Sequence, residues 1–295
     1  MYINIEVMDN KNLIKIEKSL NRIADNLDKK SLSLSLNDFD DTHSAFIWEA
    51  KEKFLRPAYK INSIQLYLLK GIEEQSKILY NNTLNFCKGL PANNALLWGA
   101  RGGGKSSLVK SIFSELHDKI NKDLSIIEIN REDLETLPQL LVLLNQIQKQ
   151  FIIFCDDLSF DKNDTKFKSL KSVLEGGIEG KPNNVIFYAT SNRRHLMASE
   201  MIENERSGAI SPTDTINETI SLSDRFGLWL GFHNIDQNTY LEIVSGYLKH
   251  YKLEIKNIDI KKKSLEWSSQ RGSRSGRVAW QFVIDLAGKL EKNID

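Results

Sequence analysis

Short apolar runs alternate with stretches of helical periodicity through the middle of the chain. The runs Ala95–Trp98, Leu124–Ile129, Phe151–Cys155 and Val185–Ala189 are nearly continuous in apolar side chains and read as strands. Between them, Lys105–Leu116, Leu134–Ile147 and Thr165–Leu174 read as helices. Continuous strands separated by helices predict a parallel sheet covered on both faces, an α/β architecture of three αβα layers. Phe226–Phe232 predicts a last strand of that sheet. After it, Tyr240, Ile243, Val244, Tyr247 and Leu248, then Val278, Phe282, Leu286 and Leu290, recur at helical intervals. A small C-terminal helical lid is expected there.

The N-terminal part is less regular. Leu13, Ile16, Leu20, Ile23 and Leu27 mark an amphipathic helix, either docked on the body or used as a partner contact. Ser31–Asp41 is polar and reads as a linker, and Phe46, Trp48, Phe54 and Leu55 predict a second helix from Ala45 to about Tyr59. The expected division is an N-terminal helical region over 1–60, a core over 61–233 and a lid over 234–295. Residues 195–219, polar and containing Gly208 and Pro212, read as a long loop.

Composition narrows the class of protein. With 295 residues and 41% hydrophobic content the chain buries a sizeable core. No run approaches the roughly 20 apolar residues of a membrane span, and Glu6, Asp9 and Lys11 stand where a signal peptide needs an apolar stretch. A cytoplasmic location is expected. Cys87 and Cys155 are the only cysteines, which argues against a disulfide framework or a zinc site. The five histidines (His43, His117, His195, His233, His250) show no metal-ligand spacing. Forty basic against thirty-nine acidic residues leave a formal charge of +1, so no global field draws nucleic acid or acidic membranes. The densest basic run, Lys261-Lys262-Lys263, reads as solvated surface or a local phosphate contact. Trp98 and Trp229 are expected in the core.

The chemistry concentrates after the first core strand. Gly99-Ala100-Arg101-Gly102-Gly103-Gly104-Lys105-Ser106 matches the G-x-x-x-x-G-K-[ST] phosphate loop (Walker A), between a strand and a helix as that loop requires. The glycines let successive backbone N–H groups converge on the α- and β-phosphates of a nucleotide, and the helix N-terminus, from Lys105 through Ser107, adds its positive dipole end. Lys105 brings a charge to the β/γ-phosphates, and the Ser106 hydroxyl is a ligand for Mg²⁺. ATP and Mg²⁺ are the expected cofactors, with no further metal. A second element is required, an acid at the end of a neighbouring strand. Phe151–Cys155 ends in Asp156-Asp157, a Walker B pattern, with Asp156 toward the metal and Asp157 polarising the attacking water. Acids that merely cap the next loop are the alternative. The strand Val185–Thr190 leads to Asn192, whose amide is placed to orient that water and touch the γ-phosphate.

These motifs resemble the AAA+ superfamily of ring-forming ATPases, in which the polar residue at Asn192 is called sensor 1. Ser223-Asp224-Arg225-Phe226-Gly227 is similar to the family's arginine-finger segment, which implies that Arg225 acts on nucleotide held by a neighbouring subunit. An ion pair at its own surface is the alternative for Arg225. Gly272-Ser273-Arg274-Ser275-Gly276-Arg277 is similar to sensor 2, which implies Arg277 as the lid residue over the nucleotide, with Arg274 competing. The strings Leu90–Asn94, Phe154–Phe160, Val173–Gly177, Tyr188–Leu196 and Ser221–Leu230 look like the bacterial domain-of-unknown-function family 815, over about residues 45–290. Gly103 departs from the Thr more frequent there, and Asp157 is one methylene shorter than the Glu of many ATPases.

The resemblance implies an AAA+-type fold, ATP binding, ATPase activity and a homo-oligomer with a protein or nucleic-acid client. A nucleotide-gated switch or loader with little turnover and a P-loop small-molecule kinase are the competing expectations. Arg193, Arg194 and His195 are candidates for a pore, a groove or a subunit contact.

Overall fold

The apolar runs assemble into one sheet of β1 (Ala45–Glu49), β2 (Phe54–Pro57), β3 (Ala95–Gly99), β4 (Leu124–Glu128), β5 (Gln150–Cys155), β6 (Val185–Ser191) and β7 (Leu228–Phe232). Their spatial order is β2-β1-β4-β5-β6-β3-β7, and every pairing is parallel except the antiparallel β1–β2 edge. The structure is a computed structural model and describes residues 42–160, 166–175, 181–194, 196, 224–253 and 259–294. The amphipathic helix expected in residues 1–30 and the loop expected over 195–219 lie outside these, apart from Leu196.

Burial explains the continuous apolar strands. β6 is buried at all seven positions and β5 at five of six. Successive side chains of such a strand point to opposite faces, so both faces need cover. On one side α1 (Glu73–Cys87) and α2 (Lys105–Lys119) place Leu79, Phe86, Leu108, Ile112, Phe113 and Leu116 against Leu97, Ile126, Ile152 and Ile186. The second layer is α3 (Leu137–Leu144), with Leu137, Leu140 and Leu144 buried, and α4 (Lys166–Glu175), with Phe167 and Leu170 buried.

One expectation fails. Residues 45–57 do not form a helix but the hairpin β1–β2, and β1 pairs in parallel with β4, so this segment extends the sheet instead of belonging to a helical N-terminal region. Phe46 and Trp48 are buried two residues apart, the strand period, and Lys53, at φ 50, turns the chain. Trp48 also donates its indole N–H to Thr136 Oγ1 at 2.8 Å, tying the hairpin to the turn before α3.

The C-terminal helices are α5 (Gln237–His250), α6 (Ile260–Gln270) and α7 (Gly276–Lys289). Their side chains Tyr240, Val244, Tyr247, Val278, Phe282 and Val283 form a separate core that also takes in Leu68, from the segment preceding α1. Each of the three helices starts at a side-chain cap, with Asp236 accepting from Thr239 N–H, Asp259 from Lys262 N–H and Ser275 from Val278 N–H. Lys261, Lys262 and Lys263 are exposed on α6, as the solvated reading expects. Among the described residues no helix is long and apolar enough to cross a membrane.

The strand order places the chemistry. β3 lies between β6 and β7, whereas the next strand in sequence, β4, lies beyond β6 and β5. Sequence order and spatial order therefore part at β3, and the carboxyl ends of β5, β6 and β3 lie side by side, the position at which open α/β sheets bind ligands.

Gly99, the last residue of β3, has φ 125 and lies against the backbone of Phe232, so that a Cβ there would overlap the Phe232 carbonyl oxygen. Gly89 also has a positive φ, 70, but a Cβ there meets no atom within 4 Å. Gly99→Ala is expected to cost roughly 3 kcal/mol or more, and Gly89→Ala about 1 kcal/mol. Urea denaturation of the two variants checks this; equal losses would show that the β3–β7 contact at Gly99 yields without cost.

Candidate nucleotide-binding site

The phosphate loop joins β3 to α2, and its conformation follows from its residues. Helix α2 begins at Gly104, which is left-handed at φ 92 and supplies no side-chain cap, in contrast to the capped helices α5, α6 and α7. Its first-turn N–H groups have no helical acceptors by construction, so this end of the helix is open to an anion. Gly103 donates its N–H to Ala100 O at 3.3 Å, and a Cβ on it would stand 3.1 Å from that oxygen. The glycine in place of Thr thus relieves a tight contact inside the loop.

Lys105 turns back into the loop it follows. Its Nζ donates to Gly99 O at 2.9 Å, to Ala100 O at 2.8 Å and to Asn192 Oδ1 at 3.2 Å, and the residue is 6% exposed. Burial holds the ammonium below its ordinary pKa range; Asp156 and Asp157 pull it back up, and Arg277 and Arg101 push it further down. Three oxygen acceptors and two nearby carboxylates thus surround this ammonium group.

The two acids have different surroundings. Ser106 donates its hydroxyl to Asp156 Oδ1 at 2.6 Å, and the Thr190 hydroxyl donates to the same oxygen. Asn192 Nδ2 donates to Asp157 Oδ1 at 2.6 Å while its Oδ1 accepts from Lys105. One amide therefore bridges the ammonium and the second carboxylate. Asp157 itself is left-handed, φ 53, a conformation that turns the chain sharply off the end of β5.

The donor set fits the expected cofactors. Ser106 Oγ and Asp156 Oδ1 are hard oxygen ligands side by side, the pair that Mg²⁺ takes together with phosphate oxygens and water. Among the described residues there is no cluster of three or more His, Cys, Asp or Glu to form an all-protein metal cage.

Helix α7 closes the site from above. Gly276 donates its N–H to Gly102 O at 3.1 Å. Gly102, at φ 72, is so close to the lid that a Cβ would lie 2.8 Å from Ser275 Oγ and 3.4 Å from the Arg277 Cβ. The charge of Arg277 reaches Lys105, and that of Arg274 reaches Asp236, the cap of α5. Arg225 is placed differently. It precedes β7 and forms an ion pair with Glu175 at the end of α4, with Nε donating to Oε1 at 2.6 Å.

Two further expectations change. Trp98 is only half-buried; the Arg194 guanidinium lies 5.3 Å over its ring and His233 meets it edge-on at 6.0 Å. Trp229 is likewise half-buried. His195 lies outside the described residues. Thr190, Glu175, Ser275 and Gly276 were not singled out by sequence reasoning. For Thr190 a signal existed, since it stands near the end of an apolar strand, two residues before Asn192.

The fold is α/β of the AAA+ type, a mostly parallel sheet between helical layers with a phosphate loop after β3. The RuvB Holliday junction branch migration motor of Thermotoga maritima matches with a TM-score of 0.50 at 18% identity, over 76% of this chain and 68% of that one. A variant of the same RuvB matches with a TM-score of 0.52 at 19% identity, over 77% and 66%. The Aeropyrum pernix Orc1 protein in complex with DNA matches with a TM-score of 0.52 at 14% identity, over 78% and 66%. The chain spans about two thirds of the length of these proteins, and at such identities the likeness is one of fold. In sequence, the family described as protein of unknown function (DUF815) matches residues 41–290, and the chain belongs to it. No curated protein matches the sequence.

The position of the two lid arginines yields a test by isothermal titration of ATP. Arg277→Ala is expected to weaken binding about tenfold or more, the worth of one charge-assisted hydrogen bond. Arg274→Ala is expected to change it by less than about twofold.

Proposed function

We propose that the protein is a cytoplasmic Mg²⁺-dependent ATPase that couples ATP binding and hydrolysis to a conformational change in a homo-oligomer. The observation that carries this reading is the hydrogen-bonded set at the ends of three adjacent strands. Lys105 follows β3, Asp156 and Asp157 follow β5 and Asn192 follows β6, joined by the contacts of Lys105 and Asp157 to one amide and of Ser106 to Asp156.

Each residue then has a task. The loop amides of residues 99–107 hold the phosphates, and Lys105 exchanges its carbonyl partners Gly99 and Ala100 for β/γ-phosphate oxygens. Ser106 and Asp156 hold Mg²⁺, which when bound neutralises charge on the phosphates. Asp157 accepts a proton from the attacking water, with Asn192 fixing one oxygen of its carboxylate so that the group is oriented before the water arrives. Arg277 reaches the nucleotide from the lid, so the state of the phosphates is transmitted to α7 through the same loop that Gly276 touches. Arg225 leaves Glu175 and stabilises the charge developing on nucleotide in the neighbouring subunit. The docking of a separate helical unit on the phosphate loop favours this reading over a small-molecule kinase.

Light scattering at rising concentration with ATP and Mg²⁺, run alongside phosphate release, tests it. ATP-dependent assembly with release per subunit that rises on assembly, both lost in Lys105→Ala, is the expected outcome. A monomer that hydrolyses ATP at every concentration would overturn the oligomeric mechanism, and assembly without release would favour the nucleotide-gated switch. Asp157→Asn is expected to lower turnover about 100-fold or more while ATP still binds. Mixing inactive Arg225→Ala with inactive Lys105→Ala is expected to restore part of the release, because only a shared site lets each subunit supply what the other lacks.

A further inference from the structure

We propose that Thr190 is a positioning residue for both carboxylates, setting Asp156 for the metal and the backbone of Asp157 for the water. This deepens the ATPase reading and rests on it. Thr190 lies on β6, which pairs with β5 so that Cys155 faces Ala189 and the residues one step on, Asp156 and Thr190, emerge side by side from the sheet. Thr190 is 1% exposed and its hydroxyl has two partners. It donates to Asp156 Oδ1, the oxygen that also accepts from Ser106, and it accepts the N–H of Asp157 at 2.9 Å.

The second partner matters because of the backbone there. Asp157 has φ 53, a conformation that costs a non-glycine residue on the order of 1 kcal/mol and persists where its surroundings hold it. Thr190 holds it from two atoms, since its hydroxyl takes Asp157 N–H and its carbonyl oxygen takes Leu158 N–H at 2.7 Å. Asn192, two residues further on and just past the end of β6, then takes the Asp157 side chain. The end of β6 and the residue just past it thus fix the first carboxylate directly and the second through its main chain and its side chain. Without the hydroxyl, Asp156 Oδ1 loses its buried donor and Asp157 N–H keeps only its longer contact to Asp156 Oδ1, at 3.2 Å, so both groups gain orientations that neither metal nor water uses.

The alternative for Thr190 is a buried hydroxyl satisfied for stability alone. The two roles separate in the Mg²⁺ dependence of nucleotide binding, which a purely structural role leaves untouched. Fluorescent ATP is titrated into wild type, Thr190→Val and Thr190→Ser with EDTA and with rising Mg²⁺, and phosphate release is followed in parallel. For Thr190→Val the affinity in EDTA is expected within about twofold of wild type. Its Mg²⁺-dependent tightening is expected to shrink at least about fivefold and its kcat to fall about tenfold or more, while Thr190→Ser stays within about threefold on both. Thr190→Val with the wild-type Mg²⁺ dependence and kcat overturns the proposal, and so does equal weakening with and without Mg²⁺, or equal impairment of the Val and Ser variants. Thermal melting checks folding, and if Thr190→Val is unfolded the comparison of Thr190→Ser with Thr190→Cys carries the same test. A wild type that neither binds ATP with Mg²⁺ nor releases phosphate would instead remove the ATPase reading itself.

Discussion

A buried ammonium group organises this molecule. Lys105 sits under its own loop, with two backbone carbonyls and one amide oxygen as partners and two carboxylates close enough to offset part of the penalty of burial. That arrangement needs β3, β5 and β6 in one order and one register, because each contributes a group at its carboxyl end. The continuous burial of β5 and β6 and the two helical layers keep those ends in place. The large apolar core is, in effect, the rigid mount for a few polar atoms.

The second constraint is the close approach of lid and loop. Gly102 lies against Ser275 and Arg277, and its carbonyl accepts from Gly276. Ser275 meanwhile caps α7. The residue that starts the helix and the residue that touches the loop are thus neighbours, so a shift of the loop is passed to the end of a stiff helix instead of to a slack connection. Leu68, from the chain ahead of α1, is buried among the side chains of α5 and α7, which ties the lid to the core at a second place.

Arg225 shows how a residue's type and its surroundings carry separate information. Its string resembles an arginine finger, yet in the single chain its guanidinium is paired with Glu175. At 22% and 43% side-chain exposure this pair is partly open to water and of modest strength, consistent with an arginine that changes partners on assembly.

The helices and strands of the core, the phosphate loop and the acids after β5 were all readable along the chain, because each depends on neighbours in sequence: apolar period, glycine spacing, a strand followed at once by carboxylates. The exceptions follow the same physics. Residues 45–57 carry an apolar pattern short enough to suit either period, and the strand was selected by β4, which offered an open edge. Asn192 could be proposed from its place after an apolar strand, but that its amide bridges Lys105 and Asp157 depends on which strands are adjacent. The partners of Thr190, Glu175 and Gly102 likewise join residues far apart in sequence. Local periodicity and motif spacing determine which elements form and which chemical groups they carry. Strand order, register and helix docking decide which of those groups meet, because contacts between distant segments are set by how whole faces pack and leave no mark on the spacing of residues within either segment.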